Sequence, residues 1–212
     1  MIQGIDGLNF EDDEYTVKQS ISLTGKKYKV ENSKGETLLS GKKEFWNPTA
    51  TFHLFDSNDN KVIEVVAESM FDASGDYTMY DVTGDEKVPV AVFTKHFSLR
   101  LREWMISDPD SGEEVVKIHS DLSGAGFLKR RYSFFPYRYE IASPESRASL
   151  FGELTPMNPQ GTNGEVYGII DGNFSILFDS YDVSTTLPDD VLPPEVLTTG
   201  AIVIDALDEE RS

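Results

Sequence analysis

The chain contains no cysteine. Disulfides, thiolate metal sites and a cysteine nucleophile are therefore excluded. No apolar run approaches the ~20 residues that a helix needs to cross a bilayer. Histidine is scarce: His53, His96 and His119 are the three present, and they lie far apart. Zinc chemistry needs clustered His or Cys ligands, so these are read as separate strand or loop residues, and no metal or other cofactor is expected. Positive charge is also in short supply, with 19 Lys+Arg against 37 Asp+Glu and a net charge of −18 at pH 7. A chain of that sign repels phosphate backbones, which argues against nucleic acid as a partner. The start, Met1-Ile2-Gln3-Gly4-Ile5-Asp6, has neither a basic n-region nor a long apolar h-region. It is not read as a secretory signal, and a soluble, cytoplasmic protein is expected.

What the chain does have is ample material for a core. Of its 212 residues, 39% are hydrophobic and 11% aromatic. A chain of this size buries roughly 70% of its extended surface on folding. The acids are mostly scattered, with runs at Glu11-Asp12-Asp13-Glu14 and Asp208-Glu209-Glu210. Scattered acids among abundant Phe and Tyr are not a signature of disorder. They fit a solvated acidic surface, or adaptation to a high-salt cytoplasm in which a Debye length of ~3 Å at ~1 M salt screens self-repulsion.

The hydrophobic pattern alternates at period two and is broken by turn chemistry. Tyr15–Leu23 is the first alternating stretch. Hairpin-like units follow: Tyr28–Val30 to Thr37–Leu39, Phe52–Phe55 to Val62–Val66, Tyr77–Tyr80 to Val88–Phe93, and Trp104–Ile106 to Val115–Ile118. Tyr137–Ile141 comes next, and then a looser Pro/Asn/Gly-rich stretch, 143–164, expected to be a surface insertion. Val166–Ile170 and Asn173–Phe178 are predicted to form a hairpin across Asp171-Gly172, because Asp-Gly suits a turn that needs positive φ. Pro89 suits an edge, a strand start or a bulge. The count is about twelve strands at consecutive-hairpin spacing, with no helical pattern between them. No linker-like break divides the chain, so residues 1–212 are expected to form one domain.

The C-terminal segment departs from this pattern. Pro194-Glu195 is a good helix start, since the first turn lacks N–H partners and favours negative charge. The helix is predicted over about 194–207, with Val196, Leu197, Ile202, Val203, Ile204 and Leu207 among its apolar residues. Those residues surround the helix on every side, and a helix apolar all round must be buried all round. Its β-branched content leaves a buried strand as the competing reading. Twelve strands closed into a barrel enclose space that ~8 strands would not. A central helix fills that space while satisfying its own backbone hydrogen bonds. Burying the six apolar side chains contributes about 9–18 kcal/mol as an upper bound. Asp205 lies inside this helix, and an unpaired buried carboxylate is costly. It is expected to find a Lys, Arg or backbone N–H partner or to lie at the barrel mouth, with contact to a ligand as the alternative.

Searches for catalytic motifs return little. Gly35 to Gly41-Lys42-Lys43 has the wrong spacing for a phosphate loop and lies in a strand pattern. Asp56-Ser57-Asn58-Asp59-Asn60 begins like a calcium loop but has Lys61 and Ala67 where Gly and Glu belong, so a hairpin turn is expected. There is no nucleophile elbow, and no catalytic residue is assigned. One local reversal of sign stands out: Phe127–Arg138 carries Lys129, Arg130, Arg131 and Arg138 with interleaved aromatics and no acid. Such a segment suits an anionic membrane surface or a partner, or an ordinary crossover whose aromatics enter the core.

A twelve-stranded antiparallel β-barrel enclosing a hydrophobic C-terminal α-helix resembles the Tubby C-terminal-like fold. The chain looks more specifically like the LURP-one-related family, especially its acidic archaeal members. The resemblance is carried by Asp12–Ser20, Lys27–Val30 with Gly35, Gly75-Asp76-Tyr77, Lys95–Leu99, Trp104-Met105-Ile106 and Ala201–Leu207, in that order. It implies a fold with no known catalytic constellation, whose relatives include phosphoinositide-binding tubby domains and phospholipid scramblases. No matching motif carries the basic tubby pocket over to this chain. The resulting expectation is a non-enzymatic binding module or scaffold that contacts lipid, a membrane surface or a protein partner, peripheral at the membrane in the first two cases. The alternatives are an enzyme acting on a small ligand at the barrel mouth, or a purely structural interaction protein pairing through an exposed strand edge.

Overall fold

The structure, a computed structural model, describes residues 2–22, 25–44, 51–67, 75–97, 102–120, 138–144, 147–148, 162–163, 165–174 and 178–208. Alternation of apolar and polar residues gives strands β1 (Glu14–Ser22), β2 (Gly25–Glu31), β3 (Thr37–Glu44), β4 (Phe52–Phe55), β5 (Lys61–Ala67), β6 (Asp76–Asp81) and β7 (Val88–Phe97). They continue as β8 (Arg102–Ser107), β9 (Glu114–Ser120), β10 (Arg138–Ala142), β11 (Arg147–Ala148), β12 (Thr162–Asn163), β13 (Val166–Phe174) and β14 (Phe178–Thr185). The helix α1 (Pro194–Asp208) follows.

Twelve of the strands close a barrel in the order β1-β14-β13-β10-β9-β8-β7-β6-β5-β4-β3-β2, and β2 pairs back onto β1. The described pairings are all antiparallel. β11 and β12 form a separate two-stranded ribbon between β10 and β13, inside the stretch expected as an insertion. The Ser143 N–H donates to the Glu165 carbonyl at 3.0 Å and draws the ends of that stretch together. Because the barrel closes, its twelve described strands offer no free edge to one another's neighbours.

The turns follow their side chains. In the β2–β3 turn Gly35 takes φ 79°, and the Asn32 carboxamide oxygen accepts the N–H groups of Lys34 and Glu36. In the β4–β5 turn Asp59 takes φ 62°, and the Asp56 carboxylate accepts the N–H groups of Asn58 and Asn60. The calcium-loop look-alike is therefore a hairpin turn. Gly41 lies inside β3, where a Cβ would run into Leu54 Cδ2 and come within 2.9 Å of the His53 carbonyl. It is glycine for packing, not for phosphate. Pro89 sits in β7 opposite a register shift between Met79 and Tyr80, a bulge that accommodates its missing N–H.

The Asp171-Gly172 hairpin does not form. Both residues lie within β13, with Arg138 opposite Asp171 on one side and Tyr181 opposite Gly172 on the other. Neither residue has positive φ. β13 continues to Phe174 and pairs with β14, which begins five residues later than the pattern suggested. A reversal at 171–172 would cost Arg138 its partner and remove the β13–β14 pairs from Asp171 to Phe174. Pairing on both flanks outweighs a local turn preference.

Inward-facing residues build one core, with Val17 against Val30, Phe93 against Ile106 and Ile118 against Ile141. α1 runs through it. Every residue from Leu192 to Ala206 is buried, as an all-apolar helix requires. Gly200 lets the helix approach β7 closely: a Cβ there would lie 3.1 Å from Phe93 Cε1. An N-terminal arm, residues 2–10, adds Ile2, Ile5 and Phe10 to the core. The Ile5 N–H donates to Glu195 Oε1 at 2.8 Å, which ties the arm to the first turn of α1.

Candidate functional site

The two barrel ends differ. Tyr15, near the start of β1, lines a cleft with Pro194 and Leu197, so the helix begins at that end. The far end of β1 pairs with Tyr28 and Lys26, and these two meet Asp205, so the helix ends there.

At the second end lies a buried polar cluster. Alternation along β2 puts Lys26 on the same inward face as Tyr28 and Val30. Lys26 Nζ is 3.6 Å from Asp205 Oδ2. The Tyr28 hydroxyl donates to Asp205 Oδ2 at 2.9 Å, and the Tyr181 hydroxyl donates to Asp205 Oδ1. β2, β14 and α1 are thereby joined through one carboxylate. The side chains of Lys26 and Asp205 are 7% and 5% exposed. Both oxygens are engaged and the carboxylate has almost no solvent contact. It does locking chemistry. Lys26 is a partner of the expected kind, whereas Tyr28 and Tyr181 were not anticipated. The signal was an inward-facing lysine within an otherwise apolar strand face.

At the first end the cleft is about 30 Å³ and is lined by Asp12, Asp13, Asp189, Tyr15 and Leu197 among others. The Ser33 N–H and then the Ser33 hydroxyl hold Asp12 below the ordinary carboxylate range. Burial pushes the Tyr15 phenol up to about 12. Neither group exchanges a proton near neutral pH, where a general acid or base needs to work. Glu195, beside the arm, is displaced upward by burial.

Sequence-predicted site residues are distributed as follows. Arg138 opens β10 and is exposed at the end where α1 terminates. Lys129, Arg130 and Arg131 lie outside the described residues. Val196, Leu197, Ile202, Val203 and Ile204 are all buried in the barrel. Leu207 falls in α1, but its side chain lies outside the described residues. The histidines do not converge: His53 is 3.3 Å from Glu64, His119 is 3.9 Å from Glu140, and His96 is exposed. Among the described residues no three His, Asp or Glu side chains are grouped to hold a metal ion, and no helix is long and apolar enough to cross a membrane.

A family model for LURP-one-related proteins matches residues 13–153. The chain belongs to the LURP-one-related family. No curated protein matches the chain. The LURP-one-related match runs from the start of the barrel through β11 and stops short of β13, β14 and α1. The part outside the match closes this family member's barrel and fills it.

Proposed function

We propose that this LURP-one-related protein is a non-enzymatic binding module, a single-domain scaffold that meets an anionic lipid surface or a protein partner with its exterior. The observation that carries this reading is the filled interior: burial from Leu192 to Ala206 leaves the barrel lumen to its own helix. Ligand pockets usually measure ~300–1,000 Å³, and the mouth cleft is about 30 Å³. An enzyme working at that mouth has correspondingly little support, because Asp12 is held below and Tyr15 above the range of a neutral acid or base.

Lys129, Arg130, Arg131 and Arg138 provide the basic contact in this reading, and the interleaved aromatics supply apolar anchorage. The resemblance to the Tubby C-terminal-like fold, with its lipid-binding relatives, points the same way. The protein is then cytoplasmic and peripheral at the membrane, and its acidity fits a high-salt habitat. Co-sedimentation with liposomes tests this. Binding should require anionic lipid and should be lost when Lys129, Arg130 and Arg131 are changed to alanine. Absence of binding at every tolerable salt concentration removes the membrane version and leaves a protein partner.

A further inference from the structure

We infer that charge polarity along the barrel axis sets which end of this protein meets an anionic bilayer: the end where α1 terminates. The inference rests on the membrane reading above and adds an orientation to it. Strand direction assigns every described connection to one end or the other. The N-terminal arm (2–13), the turns at 32–36, 56–60, 82–87 and 108–113, and the segment 186–193 all lie at the end where α1 begins. Together they hold fourteen carboxylates against Lys34 and Lys87, a net charge of −12 out of −18.

The opposite rim is built differently. The last three residues of the twelve strands and of α1 at that end include seven basic residues against six acids. Lys27, His96 and Arg138 are exposed there. Asp205, paired with Lys26, adds a seventh acid and makes the rim seven against seven. Two-thirds of the protein's net charge thus sits at one pole, and the described rim at the other pole is close to neutral.

Distance turns this asymmetry into an orientation. α1 has 15 residues and spans ~22 Å at ~1.5 Å per residue. The Debye length at physiological salt is ~8 Å. With the α1-terminal end against a bilayer, the acidic pole stands more than two Debye lengths away and its repulsion is screened. Docking on the other end brings the acidic pole against anionic headgroups. End-on contact at the α1-terminal pole avoids that repulsion.

The absence of cysteine makes the test direct. Ser57→Cys, exposed in the acidic β4–β5 turn, and His96→Cys, exposed at the opposite rim, each carry an environment-sensitive fluorophore. With vesicles of phosphatidylcholine and phosphatidylserine, a blue shift is expected at position 96 and none at 57. Pure phosphatidylcholine should give neither. Asp85→Lys, Glu86→Lys and Asp110→Lys together move the acidic pole from −12 to −6 and should let position 57 begin to respond. Vesicle binding with the shift at 57, or with equal shifts at both positions of the unreversed protein, overturns the orientation and leaves the membrane reading standing. No co-sedimentation with these vesicles overturns both.

Discussion

Replacing Asp205 with alanine leaves the Lys26 ammonium buried without its carboxylate and removes the acceptor of two tyrosine hydroxyls. Breaking a buried pair from one side costs about 3–5 kcal/mol, so urea unfolding of Asp205→Ala should show a loss of that order. Combining it with Lys26→Met should recover part of the loss; a double variant as unstable as the single would show that the ammonium is not what the carboxylate serves. Two glutamates predict opposite pH limbs. Hydrogen bonding to Lys87, opposed by burial and reinforced by hydrogen bonding to Lys61, holds Glu64 down to about 2. Its contribution to stability is present above the ordinary carboxylate range and is lost as pH falls toward 2. Burial raises Glu195, so the folded state holds that proton more tightly. Its stabilising contribution is present below the ordinary range and is lost as pH climbs through the raised value. Denaturation across pH should therefore lose part of its acid limb in Glu64→Gln and should decline less toward neutral pH in Glu195→Gln. At this scale the sequence exposed Asp205 as a problem needing a partner. It could not name Tyr28 and Tyr181, because those hydroxyls come from strands 177 and 24 residues away in the chain.

The helix and the strands that receive it depend on each other. Without α1 the inward faces of Val17, Ile118 and Ile141 border a space that only water could occupy. Deleting residues 194–212 should leave a chain without a cooperative thermal transition, monitored by circular dichroism; a cooperative melt from the truncated protein would contradict the role given to the helix. Most elements were legible, because period-two alternation and Asn/Asp/Gly turns agree with each other at β2–β3, β4–β5 and β8–β9. The exception is instructive. Asp171-Gly172 has a strong local turn preference, yet it lies mid-strand because β10 and β14 both need partners there. The arm at residues 2–10 was also not legible as core. Its Ile2 and Ile5 show no periodicity, and their burial depends on where α1 begins.

For the whole molecule, a net charge of −18 with two-thirds of it at one pole means self-repulsion that salt relieves. Raising salt from ~0.01 M to ~1 M shortens the Debye length from ~30 Å to ~3 Å, so Tm should rise over that range. The rise should shrink when Asp85, Glu86 and Asp190 are neutralised together, and a Tm insensitive to salt would contradict the repulsion. The sequence by itself determined the strand count, the barrel and the helix within it. Those follow from local periodicity and from the need of an all-apolar helix to be buried on every side. Tertiary structure alone decided where the last hairpin turns, which hydroxyls and which ammonium meet Asp205, and how turns far apart in the chain gather their acids at one end. Each of these depends on strand direction and on contacts between distant residues, which no local pattern encodes.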